Sequence, residues 1–181
     1  ATLSLLFLLT LRLSGVLPAL IVPRRLQYWA TAGLVLVIGQ IALGGWVSSN
    51  YAAVACVDLP TCHGEWWPAA DFANGFHLTQ HIGPNYLGGQ LDSEARTAIH
   101  LTHRLGAVLV TLVLLGLAWQ LRAVGMTRLA GLLLIALAAQ ICLGVSNVAF
   151  GLPLAVAVGH NAGGAGLLLT LGLVNYHART S

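Results

Sequence analysis

From Tyr28 to Ser48 the chain runs through 21 residues without a charge, enough as a helix to cross about 30 Å of hydrocarbon. A second apolar run follows Arg96 and closes at Arg122, and a third starts after Arg128. From Leu129 to Ala178 there is no Asp, Glu, Lys or Arg. That stretch is too long for one crossing. Gly151 and Pro153 supply the break, since proline is tolerated in the first turn of a helix. The pattern predicts helices over about 28–48, 96–121, 128–148 and 153–176, with a partial apolar segment over 1–13 ahead of them. The expected fold is all-α, a polytopic transmembrane four-helix bundle with a partial N-terminal helix. Residues 1–27 read as that partial transmembrane helix and a cytoplasmic loop. Residues 28–178 read as the four-helix domain, with an external loop over 49–95.

Composition supports the membrane reading. The 181 residues are 57% hydrophobic and only 7% charged, whereas a soluble domain carries about a quarter charged residues. A globule of this composition has too little polar surface for water, and a bilayer is the solvent that fits. The chain opens on Ala1 within an apolar run that no charged segment precedes. The expectation is therefore no signal peptide, and a chain whose N-terminal part is absent.

The net charge of +3 comes from arginine, with no lysine present. The basic residues are too few and scattered for a nucleic-acid surface. They give a topology instead. With four crossings, Arg12, Arg24, Arg25, Arg122, Arg128 and Arg179 fall on one side, which the positive-inside rule makes cytoplasmic. Asp58, Glu65, Asp71, Asp92 and Glu94 all fall on the other. The external loop carries Trp66-Trp67-Pro68, Phe72 and Phe76, residues suited to the headgroup level, and a short interfacial helix is expected there.

An internal repeat is visible. Gln40-Ile41-Ala42-Leu43-Gly44 recurs as Gln140-Ile141-Cys142-Leu143-Gly144. Each copy precedes an external loop and then a helix with a histidine and small residues: His103-Arg104-Leu105-Gly106-Ala107 and His160-Asn161-Ala162-Gly163-Gly164-Ala165. The order of features predicts two helical hairpins in a parallel repeat. His103 lies seven residues after Arg96 and His160 seven after Pro153, so both sit roughly 10–15 Å below the outer helix ends. Two imidazoles at one depth can hold a haem iron, and the adjacent glycines and alanines allow close approach of a flat porphyrin. Small residues also serve plain helix packing. The matched pair favours a functional site.

Other candidates have competing readings. His100 shares a helix face with His103 and is either a cofactor contact, an alternative ligand or a partly solvated interfacial histidine. Arg104 is costly within a membrane helix unless paired. A haem propionate, snorkelling, or pairing with Asp92 or Glu94 would each satisfy it. Cys56 and Cys62 bracket Pro60 in an external loop, where a disulfide is permitted. A metal site with His63 and a redox role are the competitors, although the spacing fits no zinc pattern. His77 and His81, with Gln80 between them, could bind metal, but an interfacial location is the favoured reading. Cys142 reads as an inert small apolar residue, and His177 as a tail residue with no role. No Gly-rich phosphate loop, nucleophile elbow or intramembrane acidic pair for proton pumping occurs.

Several of these motifs together resemble the haem A synthases, a family of cytochrome oxidase assembly proteins. The resemblance is carried by Gly44-Gly45-Trp46-Val47-Ser48-Ser49-Asn50-Tyr51-Ala52-Ala53, by the segment from Cys56 to Cys62, and by Gly64-Glu65-Trp66-Trp67-Pro68. Gln80-His81-Ile82-Gly83-Pro84-Asn85-Tyr86-Leu87-Gly88-Gly89 and Ala98-Ile99-His100-Leu101-Thr102-His103-Arg104 add to it, as do Ser146-Asn147 and His160-Asn161-Ala162-Gly163. It covers about residues 30–178. It implies two similar four-helix halves in the family enzyme, each offering two histidines to one haem, and likens this chain to the C-terminal half, which holds a haem b cofactor. By motif, the iron ligands would be His103 and His160, with His100 and Arg104 beside the cofactor. The implied reaction oxidises the C8 methyl of haem O to a formyl, in two hydroxylation steps, giving haem A. The implied partners are haem O, the missing N-terminal half, a haem O synthase, an electron donor and the lipid bilayer, with a homo-oligomer left open. The implied location is a bacterial inner membrane in preference to the mitochondrial one. The family's N-terminal half carries a further histidine pair and a catalytic glutamate. No intramembrane glutamate occurs here, so the chain alone is expected to be the cofactor half without turnover. A bis-histidine b-type cytochrome that only carries electrons is the alternative.

Overall fold

A computed structural model of the chain describes residues 22–77 and 91–179, together with Thr2, Leu6, Phe7, Leu9, Thr10 and Leu13, which are helical. Four long helices dominate: α1 (Arg24–Ser49), α2 (Ser93–Ala123), α3 (Thr127–Ala149) and α4 (Leu154–Arg179). All four are long and apolar enough to cross a membrane, and no strand occurs among the described residues. The protein is a multi-pass membrane protein.

The ends of the helices follow local chemistry. Pro23 precedes α1, and its carbonyl accepts from Leu26 N–H at 2.9 Å, so the helix opens at the arginine pair rather than at Tyr28. Asp92 caps α2, its carboxylate accepting from Ala95 N–H at 2.8 Å. This cap extends α2 one polar turn beyond the apolar run that began after Arg96. The α2–α3 turn closes at Gly125, which takes φ +82°, a left-handed conformation that glycine adopts without a Cβ clash. Met126 N–H reaches back to Leu121 O at 2.8 Å.

α1 packs on α2, α2 on α3, α3 on α4 and α4 on α1. The bundle is a closed ring in which α2 and α4 stand diagonally opposed. Its packed core fills the arginine-bearing half: Leu26, Ala30 and Val37 of α1, Val110, Leu114, Leu117 and Leu121 of α2, Ala130, Leu133 and Leu137 of α3, and Leu167, Leu171 and Val174 of α4. Asn175 ties α4 to α1 there, donating to Ala30 O at 2.8 Å.

At the other end the loop folds back on the bundle. Trp46 Nε1–H donates to Gly75 O at 2.9 Å, and Asp71 N–H donates to Glu94 O at 3.1 Å. The expected interfacial helix amounts to one turn, Phe72–Gly75, capped by Asp71. Trp66 and Trp67 stay exposed beside it.

Candidate functional site

The core stops short of the loop end. No residue is buried between Val37 and Val47 on α1, between Leu101 and Val110 on α2, beyond Leu137 on α3, or before Gly164 on α4. This loop-side stretch of the four helices is therefore a zone without fully buried residues, although Gln140 Oε1, Asn147 Oδ1 and His160 Nδ1 are buried atoms within it. His103 and His160 both lie in this zone, on the diagonally opposed helices.

Each histidine is backed by the neighbouring helix. A Cβ on Gly44 would lie 3.3 Å from His103 Cε1, and a Cβ on Gly144 would lie 3.1 Å from His160 Cε1. Both glycines thus act as flat seats for the rings. The same helices supply glutamines: Gln40 Nε2 lies 3.1 Å from His103 Nδ1, and Gln140 Nε2 lies 3.4 Å from His160 Nε2. Gln40 and Gln140 are each nine residues from the end of their helix, about 14 Å along the axis. The equal depth follows directly from the sequence repeat. His160 Nδ1 is buried without a hydrogen-bond partner, an arrangement that is costly unless a ligand satisfies it.

This geometry tests whether a haem suits the residues present. Among the described residues no three His, Cys, Asp or Glu side chains converge as a metal site. A bare zinc ion wants about four protein ligands. A haem iron wants only two axial donors. Two imidazoles without a third protein ligand, glycine seats behind both rings and an orphaned ring nitrogen fit the flat cofactor.

His100 is buried, and its Nδ1 accepts from Cys56 N–H at 3.3 Å. It holds the loop and is not the partly solvated group that the sequence allowed. Arg104 also faces the loop, donating to Thr61 O at 2.8 Å and to Cys56 O at 3.0 Å. Its charge interacts with Asp58; neither Asp92 nor Glu94 is its partner. Arg104 Nε is buried with no partner. Sulfur atoms of Cys56 and Cys62 lie 2.03 Å apart, and His63 sits on an exposed turn beside them with φ +57°. His77 is described, whereas Gln80 and His81 lie outside the described residues. Cys142 is a free, exposed cysteine on α3, and His177 is buried, bonding Leu173 O at 3.0 Å.

Gln40 and Gln140 are the residues that sequence reasoning left without a role. Their signal was present: each opens its copy of the repeat, and each is an amide in the middle of an apolar run.

Two comparisons bear on this site. A family described as cytochrome oxidase assembly protein matches residues 1–172. Haem A synthase of Shewanella oneidensis is 47% identical over 148 residues, which are 81% of this chain and 45% of that protein. The chain thus spans less than half the length of the curated relative it matches.

Proposed function

Because the chain belongs to the cytochrome oxidase assembly protein family, we propose that it is the cofactor-bearing part of a haem A synthase, holding haem b between His103 and His160. The observation that carries this reading is the pair of glycine-backed imidazoles on the diagonally opposed helices, with His160 Nδ1 buried and unpartnered. A haem iron with two axial histidines supplies reversible one-electron transfer. The protein's own part is to present one nitrogen from each ring and to keep bulk water from the ring pair. His100 and Arg104 do the latter by fastening the Cys56–Cys62 turn over the loop end of α2. The unpartnered Arg104 Nε is the donor left for a cofactor carboxylate. Cys56 and Cys62 are proposed to form a disulfide that shapes this cover.

The relative bears the name haem A synthase. By likeness, the complete protein converts the C8 methyl of haem O to the formyl of haem A. No Asp or Glu lies on the chain beyond Glu94, which supports a cofactor role for these helices and oxidation elsewhere in the complete enzyme. The proposed setting is a bacterial inner membrane, with haem O as substrate and a haem O synthase and an electron donor as partners.

Purified protein is expected to show the reduced-minus-oxidised bands of a six-coordinate b-type haem. His103→Ala and His160→Ala should each abolish the low-spin signature. A double variant that keeps it would overturn the ligand assignment. Cells supplying haem O and expressing the full-length protein should yield extractable haem A; haem b without haem A would instead indicate an electron-carrying cytochrome.

A further inference from the structure

The repeat sets a glutamine at the same point of both hairpins, four residues before the glycine that seats the histidine. An amide within an apolar crossing is expensive unless it is satisfied. Gln40 Nε2 donates to His103 O at 2.9 Å and approaches His103 Nδ1. Gln140 Nε2 approaches His160 Nε2. Each amide oxygen rests on a glycine of the facing helix, Gly106 under Gln40 and Gly163 under Gln140, where a Cβ would collide with it. Each of those glycines lies three residues after its histidine.

Every hairpin therefore carries the same four parts: glutamine, seat glycine, histidine and amide-clearing glycine. Filling space would not require an amide, since leucine or isoleucine is abundant throughout these helices. In each hairpin the amide addresses one ring nitrogen. For His103 the other nitrogen, Nε2, makes no hydrogen bond among the described residues. For His160 it is Nδ1, buried and unpartnered.

We infer that Gln40 and Gln140 are positioning residues that fix the ring orientation of His103 and His160. The inference rests on the reading of those histidines as axial ligands. A metal-bound imidazole keeps a proton on its second nitrogen, and the acceptor of that proton sets the basicity of the ligand. At Gln140, whose Oε1 is buried without a partner, a half-turn of the amide exchanges nitrogen and oxygen and lets the side chain accept from the His160 ring N–H, whereas Gln40 is held as a donor by its bond to His103 O. A neutral amide accepts more weakly than a carboxylate. Gln140 would therefore hold a bound iron at a higher potential than a glutamate would, and both glutamines would set the orientation of their rings.

The test uses the full protein in detergent, followed by electron paramagnetic resonance and redox titration. Gln40→Leu and Gln140→Leu should each shift the low-spin g values and the midpoint potential, with two axial imidazoles retained. Gln140→Glu should lower the potential below that of the parent protein. Gly106→Ala and Gly163→Ala, which displace the amides without removing them, should shift the same signals. Gly131→Ala, where an added Cβ meets nothing within 4 Å, should not. If a leucine variant fails to fold, the glutamate and alanine variants decide the matter. Unchanged g values and potential in Gln140→Glu, Gly106→Ala and Gly163→Ala would overturn the positioning role while leaving the haem intact. Absence of haem from the parent protein, or a low-spin signal that survives loss of both histidines, would overturn the underlying reading instead.

Discussion

Asp58 organises the turn between Cys56 and Cys62 by collecting three donors. Its carboxylate accepts from His63 N–H at 2.7 Å, from Gly64 N–H at 3.0 Å and from the Thr61 hydroxyl. His63 and Gly64 both take positive φ, so this turn needs its backbone donors satisfied to persist. The Thr61 hydroxyl, followed by the backbone N–H groups, holds the Asp58 carboxyl down to about 2 from an ordinary value of 3.8. A carboxyl whose folded value is depressed adds stability above its unfolded value and loses it as pH falls toward the folded one. The turn is thus expected to stay intact from neutrality down to near pH 4 and to loosen between there and pH 2. Carbon NMR of the Asp58 carboxyl should titrate near 2. A midpoint at or above 3.8 would show that the three donors do not act on it. Arg104 illustrates the limit of legibility at this scale. Its cost within an apolar run was readable, but its partners are the carbonyls of Cys56 and Thr61. Backbone acceptors leave no mark in a sequence, so these two carbonyls were not among the partners it offered.

Helices were the most legible elements, because charge-free runs of crossing length have few other uses. The differences lie at polar ends. α2 starts at Ser93 because Asp92 caps it, and hydropathy does not register a polar turn beyond the hydrocarbon. Helix contacts were not legible, since they depend on which small residue meets which large one. Gly116 on α2 shows this: a Cβ there would lie 2.7 Å from Cζ3 of Trp29 on α1. A rigid indole has few ways to yield. Gly116→Ala should therefore push α1 and α2 apart and cost about 1–3 kcal/mol, as overpacking generally does. Gly131→Ala meets open space and should stay within about 0.5 kcal/mol of the parent. Denaturant titration of the two variants in mixed micelles measures the difference. Equal midpoints would mean that the α1–α2 approach is looser than the Trp29 contact implies.

For the whole molecule, charge and repeat converge on one orientation. Arg24 and Arg25 open α1, and Arg122 and Arg128 flank the α2–α3 turn, all at the core-filled end of the bundle. Asp58, Glu65, Asp71, Asp92 and Glu94 lie at the histidine-bearing end. The parallel repeat keeps both glutamine–histidine sets at that same end, because each hairpin enters from the arginine side. Arginines flanking short turns are retained on the cytoplasmic face during insertion, so the histidine zone is expected in the outer leaflet, under the Cys56–Cys62 cover. Single-cysteine labelling settles it in a background where Cys56, Cys62 and Cys142 are replaced. A membrane-impermeant maleimide should label a Trp66→Cys variant in intact spheroplasts, and a Val124→Cys variant only after permeabilisation. The reverse pattern would put the arginine turn outside. It would also move the proposed haem to the cytoplasmic leaflet, where an electron donor would have to approach from within the cell.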